Sequence, residues 1–277
     1  MRKLVLFIIL LFSALIAQAQ VLDDAIEKLS KEVSGQVVLP KTTAELKDLF
    51  KDANLKKIPR IFVDRLPDDF AQNGTPELYT QVITALILRE NERIIKEKML
   101  LSVLKAKYDK KQTWTQTEEA FFNSLVEKYD VTVTKTKDTQ LEKLMLKVDE
   151  IVPGLAVAQS VYATDWGKKN MNSPYAQKGW LDENTYADIS YDSLIKATEE
   201  YVKELNAAPC HWLWRTRRRA AAHQRARQFL AFSLAGTMAP YLPEDPHYAV
   251  TLRQILDHNR PLGELYQAEF MEQGKKK

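Results

Sequence analysis

Cysteine is almost missing from this chain. Cys210 is the only one in 277 residues, so no disulfide within the chain can hold the fold and stability must come from packing. With no Cys–His spacing of the finger or ribbon kind, a structural zinc site is not expected either. Glycine is scarce, eight in all, and forms neither a phosphate-cradling loop nor a Gly-x-Ser-x-Gly elbow, so neither cradled-phosphate chemistry nor Ser-His-Asp hydrolysis is supported. Histidine is confined to the last quarter (His211, His223, His247, His258), with no pair at the i, i+4 spacing of a helix-borne metal site. No metal and no other cofactor is expected. Charge of one sign is also lacking, since 40 Lys and Arg face 37 Asp and Glu, which argues against charge-driven binding to nucleic acid.

What is present begins with Met1 to Gln20. A short basic end (Arg2, Lys3) precedes an apolar run from Leu4 to Ala17 and an Ala17-Gln18-Ala19 site, the three-part pattern of a cleavable secretory signal peptide over residues 1–19. The apolar run is too short to span a hydrocarbon core comfortably, so no stable transmembrane span is expected after cleavage. The expected location is outside the cytoplasm, in the periplasm or cell envelope. Losing Arg2 and Lys3 lowers the formal charge from +3 to +1.

Helical signals dominate the remainder, so the expected class is mainly α. Leu22 to Val33 has helical spacing, and capping boxes at Thr42–Glu45, Thr115–Glu118 and Thr139–Glu142 open helices over about 43–50, 116–129 and 140–149. Thr75 and Pro76 start the strongest helix, to about Tyr108, with Leu78, Val82, Leu86, Ile94, Met99, Leu101 and Leu104 as its core-facing stripe. The Pro-punctuated stretch Ile58 to Pro67 reads as extended. Pro153 opens an apolar helix to about Asp165, closed by Trp166-Gly167. Residues 168–192 read as a loop and a small β-hairpin, and helix returns at about 193–206, 212–235 and 248–258.

The stretch Ile151-Val152-Pro153-Gly154-Leu155-Ala156-Val157-Ala158-Gln159, running on to Asp165-Trp166-Gly167, resembles the core motif of the glucosaminidase family of lysozyme-like peptidoglycan hydrolases. In that family an Ala-rich helix ends in Glu-Ser-x-Trp-Gly. Three further stretches are similar to its Bax-protein branch. They are Ile58 to Phe70 with Leu88-Arg89-Glu90-Asn91-Glu92; Tyr191-Asp192-Ser193 with Tyr201-Val202-Lys203-Glu204-Leu205-Asn206; and Leu234-Ala235, Tyr241, Tyr248 and Ile255 to Asn259.

The resemblance implies a lysozyme-like helical domain with a small β-hairpin lobe over 130–265. An N-terminal helical region (20–129) precedes it and a basic tail (266–277) follows. The implied partner is the glycan strand of peptidoglycan, and the implied activity is that of an endo-β-N-acetylglucosaminidase, a glycoside hydrolase. Such cleavage needs a carboxylic acid that protonates the departing oxygen, held protonated by an apolar setting. The family's acid stands three residues before the Trp, where this chain has Ala163. An alanine donates no proton, and losing a positioned acid forfeits on the order of 10²–10⁴ in rate. Two readings are therefore open, an enzyme and a catalytically inactive glycan-binding or scaffold protein.

For the enzyme, a helix that stops at Thr164 leaves Asp165 free to swing into the cleft as a stand-in acid; the alternative reading is an exposed carboxylate near a helix end. Asp182, Glu183 and Asp188 are the candidate helper carboxylates, or else solvated hairpin charges. Trp166, Asn172, Tyr175, Gln177, Trp180 and Tyr191 are the candidate glycan contacts, and for the aromatics a core role is an equal alternative. The segment Asn172-Ser173-Pro174-Tyr175-Ala176-Gln177 departs from the family's Asn-Asn-Leu-Phe-Gly-Gln, with Ser and Ala in place of the second Asn and the Gly.

Overall fold

The computed structural model describes residues 23–26, 34–132, 136–180, 185–207 and 230–272. The expected leader, most of the 212–235 helix, Asp182, Glu183 and Cys210 lie outside them. Helices make up most of the described residues, and none of these is long and apolar enough to cross a membrane. The chain divides into two compact units, neither continuous in sequence: residues 1–33 with 93–149, and residues 34–92 with 150–277. Residues 129 and 130, on either side of the division expected above, both belong to the first of these units.

In the larger unit, β1 (Gln36–Val38) pairs in parallel with β3 (Ile61–Val63), and β2 (Lys57–Ile58) pairs in parallel with a strand at the far end of the chain, Glu269–Phe270. The Pro-flanked stretch is thus extended, and it feeds two separate two-stranded sheets. Helix α1 (Thr43–Leu49) is capped by Thr42, but Glu45 accepts from the Lys41 N–H instead of closing the expected box. After the short α2 (Phe70–Asn73) comes α3 (Pro76–Asp109), 34 residues long. Its first turns bury Leu78, Tyr79, Val82, Ile83, Ala85, Leu86 and Ile87 around the whole circumference, the pattern of a central helix. Helix α6 (Pro153–Thr164) is buried at eleven of its twelve positions, and packs with the C-terminal helices α8 (Leu230–Ala235), α9 (Tyr248–His258) and α10 (Arg260–Gly263). Strands β4 (Lys178–Trp180) and β5 (Tyr186–Asp188) pair antiparallel, and α7 (Leu194–Ala207) follows. Glu269–Phe270 forms β6; Phe270 meets Phe62 edge-on at 5.9 Å and lies under the Arg60 guanidinium at 4.4 Å. Residues 266–272, expected to begin a basic tail, are therefore part of the fold.

The smaller unit takes the second half of α3, α4 (Gln116–Lys128) and α5 (Lys137–Lys147). At α4 the expected capping box closes fully, Thr115 accepting from the Glu118 N–H and Glu118 from the Thr115 N–H. At α5 the cap is Thr136 rather than Thr139, whose N–H donates to it, so the helix starts three residues early. Met99, assigned to the core stripe of α3, is 65% exposed, because it stands about 200° around the helix from the buried Leu101.

Candidate functional site

The site is built around the end of α6, and its beginning is clamped first. The Asn91 amide donates to the Ile151 carbonyl and accepts from the Ile151 N–H, both at 2.8 Å, two residues before Pro153 opens the helix. Gly154 then passes close under α10, where a Cβ would fall 2.2 Å from the Leu262 carbonyl oxygen. Further along, Gln159 accepts from the Tyr201 hydroxyl at 2.6 Å and donates to that of Tyr248 at 2.8 Å. The Tyr79 hydroxyl meets Ser160 and Thr164, and burial pushes it up to about 12.

The helix stops at Thr164 in an unusual way. Asp165, Trp166 and Gly167 all have left-handed backbones, with φ of 48°, 60° and 79°. Two of the three carry a Cβ, at about 1–2 kcal/mol each. Bonds to Thr164 hold the turn: its hydroxyl accepts from the Gly167 N–H at 3.0 Å and its carbonyl from those of Lys168 and Lys169. Gly167 has no room for a side chain, since a Cβ would meet the Tyr79 ring at 2.8 Å.

Beyond this turn opens a groove of about 440 Å³, within the size range of small-ligand sites. Residues 167–172 line it together with residues 64–68 and 191–194. Asp64, Asp68 and Asp192 are balanced there by Arg65, Lys168 and Lys169, a lining suited to a polar ligand of little net charge.

The expected residues scatter around this geometry. Ala163 is 8% exposed, its methyl one helical turn beyond Gln159. The helix ends at Thr164, the condition set for a stand-in acid, and Asp165 just beyond it is exposed, its side chain 55% accessible and its oxygen 3.7 Å from the Lys168 ammonium. Asp188 is exposed and 3.9 Å from Lys178. Trp166 is half-buried, edge-on to Tyr79 at 6.5 Å. Asn172 and Tyr191 line the groove. Tyr175 does not: it is fully buried, stacked on Tyr201 at 4.0 Å and bonded to Thr198, because the tight 172–177 turn folds its ring inward. Trp180 is in β4 by its backbone. Ala176, where the resembled pattern has Gly, has φ of 51°. Ala176→Gly is expected to stabilise the protein by about 0.5–1 kcal/mol, left-handed strain relieved less backbone entropy lost, read as a rise in the urea midpoint.

No family model, curated protein or solved structure matches this chain.

One group the sequence reading passed over is Glu204 of α7. Burial, with the Glu200 carboxylate adding to it, raises its carboxyl above the usual range, against the opposing bond from Gln177. Among the described residues no Lys or Arg pairs with it; the Gln177 amide donates to it at 3.2 Å. The Tyr191 hydroxyl is pushed up to about 12 by burial and then by Glu200 and Glu204. The signal available in the sequence was the spacing Thr198, Tyr201, Leu205, a buried helix stripe with Glu204 at its edge.

Proposed function

We propose that this chain is an exported, peptidoglycan-directed glycosidase of the glucosaminidase type. In this reading its larger unit is a lysozyme-like helical body with β4 and β5 as a small hairpin lobe. What carries the reading is that residues from the separate stretches quoted for the resemblance bond to one another. Arg60 makes a two-pronged ion pair with Glu92 at 2.9 and 2.7 Å. Asn91 clamps Ile151, Tyr201 and Tyr248 share Gln159, and Ser193, which caps α7, bonds to Asp64. A resemblance produced by chance composition has no reason to link its fragments in this manner. The mixed-charge groove beside the Trp166-Gly167 turn supports the same substrate class, since a glycan offers hydroxyls and amides along most of its length.

The second reading, a glycan binder without cleavage, is favoured by the buried methyl of Ala163 at the family's acid position and by the exposure of Asp165. Gel clearing and wall sedimentation, run on the purified chain and on Ala163→Glu, separate the two. Clearing by the unaltered chain is the expected result. Clearing by the variant alone, with both chains sedimenting with the wall, assigns the binder. Neither clearing nor sedimentation in either protein overturns the glycan assignment.

A further inference from the structure

We infer that the larger unit carries a second binding site, apart from the groove beside Trp166-Gly167, which takes the free carboxylate end of a peptide with small side chains. A pocket of about 270 Å³ lies where the start of α3 meets the end of α1, and it shares no lining residue with the groove. Its volume falls below the range of drug-sized sites and suits a residue or two with small side chains.

The pocket is cationic on one side. Lys47 stands in the last turn of α1 and Lys51 just past that helix. Both are exposed, and neither pairs with a carboxylate among the described residues. The first turn of α3, a helix of 34 residues, completes that side. Thr75 takes the Leu78 N–H on its hydroxyl and the Tyr79 N–H on its carbonyl, while Pro76 has no N–H to offer. The Glu77 N–H is left without a protein acceptor among the described residues. A free N–H at the positive end of a helix, beside two ammonium groups, is suited to a carboxylate oxygen.

A second, independent observation points to the rest of the ligand. Gln81, one turn further along α3, lines the same pocket and is only 5% exposed, yet its amide bonds to no protein group among the described residues. Folded chains rarely leave a buried amide without a partner, because the lost bonds to water are not replaced. The pocket is the space open to it. A side-chain amide offers N–H and C=O together, and a peptide bond answers both. Phe50, Ala53 and Leu78 provide apolar lining for a side chain of methyl size. The exposed Glu77 carboxylate, also in the lining, can accept from a ligand N–H and repels a multiply charged anion such as phosphate.

The test titrates the purified full chain at low salt with N-acetyl-alanylalanine in its L and D forms, with the same compounds blocked as C-terminal amides, and with inorganic phosphate. Heat of binding and thermal unfolding are read for the unaltered chain, Lys47→Ala/Lys51→Ala and Gln81→Leu. At least one hand of the free acid is expected to bind and to raise the Tm, and blocking its carboxylate should weaken binding about tenfold. The double lysine variant should lose about tenfold as well, and added salt should weaken the unaltered chain toward it. Gln81→Leu keeps the volume and removes the amide, so it should bind about tenfold more weakly yet unfold at no lower temperature. A Gln81 that serves only the fold gives the reverse, a lower Tm with binding unchanged, and overturns its role here. Phosphate binding as tightly as the free acid, or the blocked compounds binding equally well, overturns the peptide assignment. Failure of both hands to bind at millimolar concentration overturns the site. Wall clearing and sedimentation judge the glycan reading separately, so neither result decides the other.

Discussion

Asn91→Leu is expected to destabilise the protein by about 2–5 kcal/mol, seen as a lower urea midpoint at unchanged slope. The leucine fits the volume but makes neither bond of the clamp. Ile151 is 1% exposed, so its N–H and C=O would both stay buried and unpaired, each costing about 1–3 kcal/mol. Because the clamp fixes the entry of α6, the glycan reading proposed above further predicts that the variant sediments with the wall less than its loss of stability alone explains. A shift below about 0.5 kcal/mol, the scale of an ordinary surface substitution, would refute the clamp.

Glu118→Ala is expected to cost about 3–5 kcal/mol. The Glu118 side chain is fully buried and its two oxygens take the Lys107 ammonium at 2.6 and 2.7 Å. Truncation leaves that ammonium without its counter-charge and also opens the cap of α4, itself worth about 1 kcal/mol. Glu118→Gln keeps an acceptor for the Thr115 N–H and should lose less. Salt provides the check: a buried pair is poorly screened, so the stability gap between the unaltered protein and the Glu118→Ala variant should persist at high ionic strength. A gap that closes in salt would mean that the pair acts as a surface bridge.

The same buried box shows what could be read in the sequence. Helix starts announced by a short polar cap and a Glu three residues on are local facts, and Thr115 with Glu118 behaves as its spacing says. Where several Thr compete, locality fails: Thr136 takes the cap that Thr139 was expected to hold, since both hydroxyls stand within one turn. Two strands of the parallel sheets, the partners of the Pro-flanked stretch, were illegible for another reason. Gln36–Val38 and Glu269–Phe270 are two or three residues long and gain their definition from partners elsewhere in the chain.

For the site, the apolar helix and its end before Trp166-Gly167 followed from pattern. The three-residue left-handed turn did not, because it rests on Tyr79 occupying the space a side chain at 167 would need. Of the two roles open to Tyr175 the core one is taken, and Glu204 was no candidate in the sequence. An aromatic was drawn into the core by stacking on Tyr201, and a carboxylate was left half-buried beside an amide.

The pairing of β2 with β6 sets an order on the birth of the molecule. Lys57 meets Glu269, 212 positions further along the chain, and its ammonium is bonded to that carboxylate. Residues 93–149 can find most of their neighbours soon after synthesis, whereas the larger unit stays open until residue 269 has been made. The long span between the two strands is the last to be fastened, and the sheet locks only when residues 57 and 269 come together.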